Sequence, residues 1–350
     1  MLKPMVAMCG LLIVGFGGCA GPVGPAGPPG ANGDPGAMGA MGAMGAMGAK
    51  GAMGASGGPA YVSTVVVSPV GTPMQNGAAL LAALDGITTA NSATPFLLKL
   101  EPGWYDLGTS VNASAQLTSK ANVDIEGSGR DITTISGTAS GTGPAPVVAL
   151  LHDVELRQLQ VINQDTSANA VGLLVGGAAS PHVTDANVRS ETTSGTALLN
   201  TATEGPIFTN VIVDDSSGTA VGVTSQGSLA TFRHCQIYAI TGFKGGGRLF
   251  DVQISSSGAA IAALVLTAES DVNGLAAPGE AIQINAGGGS IFNIRNSNFG
   301  ALAVNGSAGG VTVDVAASEL SGGVATAGTT TLHCVGVYSG SFAALNGTCQ

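Results

Sequence analysis

Two adjacent acids, Asp214 and Asp215, come nearest in this chain to a catalytic pair. Arg233 and His234 follow one repeat later, Asp251 one repeat after that, and Asp165 holds a comparable place in an earlier repeat. Glycoside cleavage needs one carboxyl as proton donor and a second carboxylate within several ångströms. An Asp pair backed by His and Arg would supply both, for a hydrolase or lyase acting on an acidic polysaccharide. The stretch Asp214-Asp215-Ser216-Ser217-Gly218 reads more simply as a solvated turn, because short polar side chains and Gly favour turns. Other chemistries are poorly supplied. His152, His182, His234 and His333 are isolated and have no metal-ligand spacing. The 21 acids are spread along the chain without a calcium-loop pattern. Gly245-Gly246-Gly247 lacks the strand-loop-helix context and the Lys-Ser/Thr of a phosphate loop. No cofactor and no metal are expected. With one Trp and four Tyr, few rings are present on which sugars could stack. The balance favours a non-catalytic protein, with Asp214, Asp215 and His234 as weak candidates for catalysis.

These residues sit inside a repeat that must position them. Its pattern is apolar, two free positions, small or apolar, one free position, apolar. The copies are Leu156-Leu159-Val161, Val183-Ala186-Val188, Phe208-Val211-Val213, Phe232-Cys235-Ile237 and Leu249-Val252-Ile254, then Ile294-Ser297-Phe299, Val315-Ser318-Leu320 and Leu332-Val335-Val337. They start 27, 25, 24, 17, 45, 21 and 17 residues apart, and the 45 reads as two periods around a degenerate copy. One strand unit every 20–25 residues marks a stacked coil. Gly172, Gly195 and Gly218, each before a run of small aliphatics, suggest bends between strands where positive φ is often required. No helix has room between them, so a parallel β-helix is expected. Residues such as Phe208 and Phe232, or Val213 and Ile237, should stack in ladders about 4.8 Å apart. Cys235 falls on an inward position as a small buried hydrophobe.

Composition narrows the compartment and partners. Charged residues make up 9% of the chain, which suits strands and tight turns. A net charge of −10 argues against nucleic acid or anionic lipid as partner. Residues 1–18 read as a secretory leader, too short for a secure membrane span. Phe16-Gly17-Gly18-Cys19 resembles a bacterial lipobox, which would make Cys19 the lipidated first mature residue and the lipid the only membrane contact. Cys334 and Cys349 are placed to pin the last coil with a disulfide, which export permits.

From Gly21 to Gly57 every third residue is Gly, the phase that a collagen triple helix demands. The tract resembles a bacterial collagen-like region and implies a homotrimer; the alternative is a flexible spacer. Extended, it would reach on the order of 100 Å. Beyond it, Leu80, Leu84 and Ile87 predict a helix over Asn76 to Ile87, with Asn76 as N-cap and Gly86 as stop, covering the open end of the first coil.

The order of that helix, the strand Phe96–Leu100, Pro102-Gly103-Trp104-Tyr105, the strand Val123–Glu126, Gly127-Ser128-Gly129 and Thr133-Thr134-Ile135 resembles the opening of pectate-lyase-like proteins. This superfamily includes pectin methylesterases, and the resemblance implies a right-handed coil. It says little of function, because lyases, hydrolases, esterases, tailspikes and non-catalytic surface proteins share the fold. Longer catalytic blocks of those enzymes are missing here.

The expectation is therefore an all-β, right-handed parallel β-helix with a short capping helix. Its parts are a lipoprotein leader at 1–18, a collagen-like stalk at 20–59, a lead-in segment and helix at 60–95, and the β-helix at 96–350. It would be exported to the outer membrane or cell surface, or else secreted. Its expected role is structural or adhesive, against a surface glycan or matrix protein. The alternatives are polysaccharide cleavage through Asp214 and Asp215, and a trimerisation unit for the stalk.

Overall fold

The computed structural model describes residues 61–111, 115–191, 194–215, 220–255, 264–267, 270–287 and 289–350. The leader, Cys19 and the Gly-x-x tract lie outside the described residues.

The described chain winds as a parallel β-helix. Every named strand pairs in parallel with the strand one coil on. Each coil contributes to three sheets in turn. The first sheet runs from β1 (Ser63–Val67) and β2 (Phe96–Leu100) through Glu155–Arg157 and Ile207–Thr209 to the end of the strand Val324–Val335. The second includes β3 (Gly103–Val111), Gln160–Asn163, Ile212–Asp215 and Gln236–Ala239. The third includes Ala145–Leu150, Ala170–Val175 and Thr196–Asn200.

The apolar positions of the repeat point inward. Leu156, Leu159 and Val161 are fully buried, and the same positions of later coils stack on them. Phe208 lies over Phe232 with ring centroids 4.6 Å apart, and Val213 pairs with Ile237. Cys235 is buried, and desolvation pushes its thiol up to about 11. The degenerate copy in the long gap is Val272-Leu275-Ala277, all buried.

Three local expectations need correction. The helix α1 spans Pro73–Gly86, not 76–87, and its cap is Thr72. The Thr72 hydroxyl accepts from Gln75 N while Thr72 N donates to the Gln75 side chain, and Pro73 supplies a helix-ready φ. Asn76 instead is buried and donates to the Trp104 carbonyl at 3.1 Å. Leu80 and Leu84 face the core, and Gly77 is needed because a Cβ there would meet the Asp106 carbonyl at 1.9 Å.

Glycine bends are expected before the aliphatic runs of the third sheet, whereas the bends inside the repeat, between first and second sheets, are made mostly by other residues. Gln158, Asp185, Asn210, His234, Asp251, Asn296 and Ala317 take positive φ, with Gly274 and Gly336 in the same role. Each is the second free position of the repeat. Except at Gly336 in the last coil, its N–H donates across to the next coil, as from Asp185 to Thr209 O and from His234 to Phe250 O. Gly172 lies within a strand, where a Cβ would meet two carbonyls at 2.8 and 2.9 Å, so close approach rather than φ selects it.

The last copy is Cys334-Val337-Ser339, not Leu332-Val335-Val337. Val315 pairs with Cys334, the bend is Gly336, and Val335 is exposed. Leu332 and Cys334 share one strand face, so the apolar pattern alone allowed a two-residue shift. Cys334 is bonded to Cys349 with their Cα atoms 5.5 Å apart, tying the tail to the last coil.

Candidate functional site

Stacking in register turns outward side chains into columns. On the first sheet one column runs Asp124, Glu155, His182, Ile207, Thr231, Arg248, Asp271, Asn293, Asp314, His333. Its neighbour runs Lys99, Glu126, Arg157, Thr184, Thr209, Arg233, Phe250, Asn273, Arg295. In a chain that is 9% charged, these two columns gather Lys99, Asp124, Glu126, Glu155, Arg157, Arg233, Arg248, Asp271, Arg295 and Asp314 on one face.

The early coils of the face are a closed ionic network. Glu126 accepts from Lys99 at 2.5 Å and from Arg157 Nε at 2.6 Å, and Arg157 also pairs with Glu155. Burial opposes ionisation of Glu126, but the two cations outweigh it and hold its carboxyl below the usual range. Tyr61 donates to Asp124 at 2.8 Å, beneath the Arg157 guanidinium. Desolvation, with help from Asp124, pushes the Tyr61 hydroxyl up to about 12. Asp124, Asp153, Glu155 and His182 line a cavity of about 260 Å³. These acids also hold backbone: Asp124 accepts from Glu155 N at 2.7 Å and Asp153 from Ser180 N at 2.6 Å.

The middle coils differ. Arg233 and Arg248 are exposed and form no ion pair among the described residues. The Arg233 guanidinium lies 5.7 Å from the Phe250 ring centre. Thr209 and Thr231 stand beside them on the same face. His234 projects from the bend with its side chain 64% exposed, 3.6 Å from Asp251. Exposed guanidiniums beside an aromatic ring and hydroxyls can hold a carboxylate or sulfate by paired hydrogen bonds while a sugar ring lies on the apolar surface.

The candidate dyad does not form. Neighbouring residues on a strand face opposite ways. Asp214 is half-exposed on the outside of the second sheet, between Arg189 and Tyr238. Asp215 is fully buried, in the inward column that carries Asn163, Ser190 and Ala239. Asn163 in that column donates to the carbonyls of Ala139, Ala145 and Val171, so the position ties the corner of the coil. Asp165 shapes a turn, accepting from Ser167 N. Nothing in the sequence marks Arg233 and Arg248, 15 residues apart, as a unit; register alone makes them neighbours on one face.

No family model and no curated protein matches this chain. Solved structures similar to it include the pectin methylesterase PemA from Erwinia chrysanthemi, 13% identical, with a TM-score of 0.40 over 71% of this chain and 81% of that one. The Dettilon tailspike protein is 10% identical, with a TM-score of 0.47 over 81% and 67%. Pectin methylesterase from carrot is 12% identical, with a TM-score of 0.39 over 76% and 84%. The assignment as a parallel β-helix rests on the strand register itself.

Proposed function

We propose that this is an exported glycan-binding protein, in which the first-sheet face of a right-handed β-helix lies along an extended acidic polysaccharide. The observation that carries the reading is the pair of exposed guanidiniums, Arg233 and Arg248, which form no ion pair among the described residues and flank Phe250 on adjoining coils. A regular polymer suits a surface whose side chains recur at each coil spacing of about 4.8 Å. The lipid at Cys19 and the collagen-like stalk at 20–59 would hold this face away from the cell. The test is binding of the mature chain to a panel of neutral, uronate-bearing and sulfated polysaccharides. Anionic members should bind, and Arg233→Ala with Arg248→Ala should remove that binding without changing the melting temperature. Equal indifference to every anionic glycan sinks the reading.

Cleavage is a second reading, favoured by the cavity where Asp124, Asp153 and Glu155 meet His182. It moves the alternative away from Asp214 and Asp215. New reducing or unsaturated ends, lost in Glu155→Gln, would establish it; bound polysaccharide that stays intact would leave binding alone.

A further inference from the structure

We propose that the N-terminal corner of the β-helix, built from Val66, Val70, Met74, Trp104 and Ile132, is a contact surface for another copy of this same chain. The side chains of this corner are apolar and uncovered: Val70 is 90% exposed, Met74 61% and Trp104 46%. They lie on segments that are tied together. Gly103 stands against the Pro69 ring, where a Cβ would come within 2.7 Å, and Gly103 N donates to Ile132 O at 2.9 Å. Asn76 joins Gly71 to the Trp104 carbonyl. Beside the corner, β1 pairs only with β2 among the described residues, which leaves its other edge open with Val62 and Val66 exposed.

An open strand edge is ordinarily protected by charge or by Pro. Here no charged residue occurs between Lys50 and Asp85. An apolar patch of this kind, next to an unguarded edge, marks an interaction site. A second copy is the occupant because of where the preceding tract ends. The last phased glycine, Gly57, stands four residues before Tyr61. Four residues span at most about 14 Å, so chains joined in a triple helix would deliver their corners to one another. The occupant thus rests on the reading of the tract as an assembling stalk.

Trp104 is the only Trp in the chain and reports directly on this surface. The mature full-length protein is followed by sedimentation, by acrylamide quenching of Trp104 and by the circular dichroism of the tract. Assembled wild type should quench at least about 3-fold less than the variant carrying Val70→Glu and Met74→Glu, as expected for an aromatic ring covered in an interface. Both substitutions are at exposed positions, and an unchanged melting temperature confirms that the variant folds. An oligomer with a triple-helix signal in which Trp104 quenches as freely as in the variant overturns the contact and leaves the stalk standing. A monomer at every concentration, without that signal, overturns both.

Discussion

The outer face of the first sheet and that of the third are carried by the same coils at the same spacing, yet they differ in chemistry. The first bears Lys99, Glu126, Arg157, Arg233, Arg248, Asp271 and Arg295. The third bears Ala149, Leu174, Leu199, Thr224, Lys244, Val265, Gln283, Ala303 and Ala325 in its corresponding outward column, with Lys244 the one charge. It has shallow cavities too, of about 290 Å³ around Thr196, Thr224 and Gln226 and about 220 Å³ around Asn285 and Asn305. Space is therefore available on both faces, and residue choice alone separates them. A β-helix lets one face specialise because outward side chains contribute little to the shared core.

That separation can be tested from below and from above. Removing the core beneath both faces should have the largest effect. Phe232→Ala takes a ring out of the stack with Phe208 and the edge contact with Phe243, and should cost about 4 kcal/mol in denaturant unfolding. Glycan binding and the third face should fail together in that variant. A loss below 1 kcal/mol would mean the ladder contributes less than its burial implies.

Next comes the ionic network. Glu126→Gln strands Lys99 and Arg157 and should cost about 2 kcal/mol, less than a fully buried pair because the side chains keep 18–28% exposure. The pH dependence follows from the lowered carboxyl. The unfolded chain takes up the proton first, near the ordinary value of 4.5, so the contribution of Glu126 is full above that pH. It is lost as pH falls through the lower folded value. Melting temperatures of wild type and Glu126→Gln should therefore converge as pH drops below 4.5. Parallel curves would place the acid sensitivity elsewhere.

Smaller changes address recognition alone. Arg233→Ala should weaken binding of an anionic glycan by roughly 10-fold with stability within about 0.5 kcal/mol of wild type. Smallest of all, Lys244→Ala on the third face should alter neither by a measurable amount. Comparable losses from Arg233→Ala and Lys244→Ala, read by isothermal titration, would erase the distinction between the faces.

Much of the architecture was legible because its cause is local. Each coil repeats one inward pattern, and burial requires apolar residues at those positions whatever surrounds them. Hence the ladders of Phe208 with Phe232 and Val213 with Ile237, and the presence of one further copy in the long gap, follow from the sequence alone, while register was needed to identify that copy as Val272-Leu275-Ala277. Local pattern failed where two solutions satisfied it equally. Leu332 and Cys334 were interchangeable until register with Val315 and the bend at Gly336 chose Cys334. The bends inside the repeat left no sequence signal, because hydrogen bonds to the next coil, rather than glycine, hold residues such as Gln158 and His234 at positive φ.

The candidate site was the part that only the tertiary structure decided. Asp214 and Asp215 are adjacent in sequence, yet the strand turns one outward and buries the other. Lys99, Glu126 and Arg157 are 27 and 31 residues apart in sequence and meet in one network. Outward positions carry no burial constraint, so their chemistry leaves no periodic trace. Coil length and register, set by loops and bends across the whole β-helix, determine which of them become neighbours.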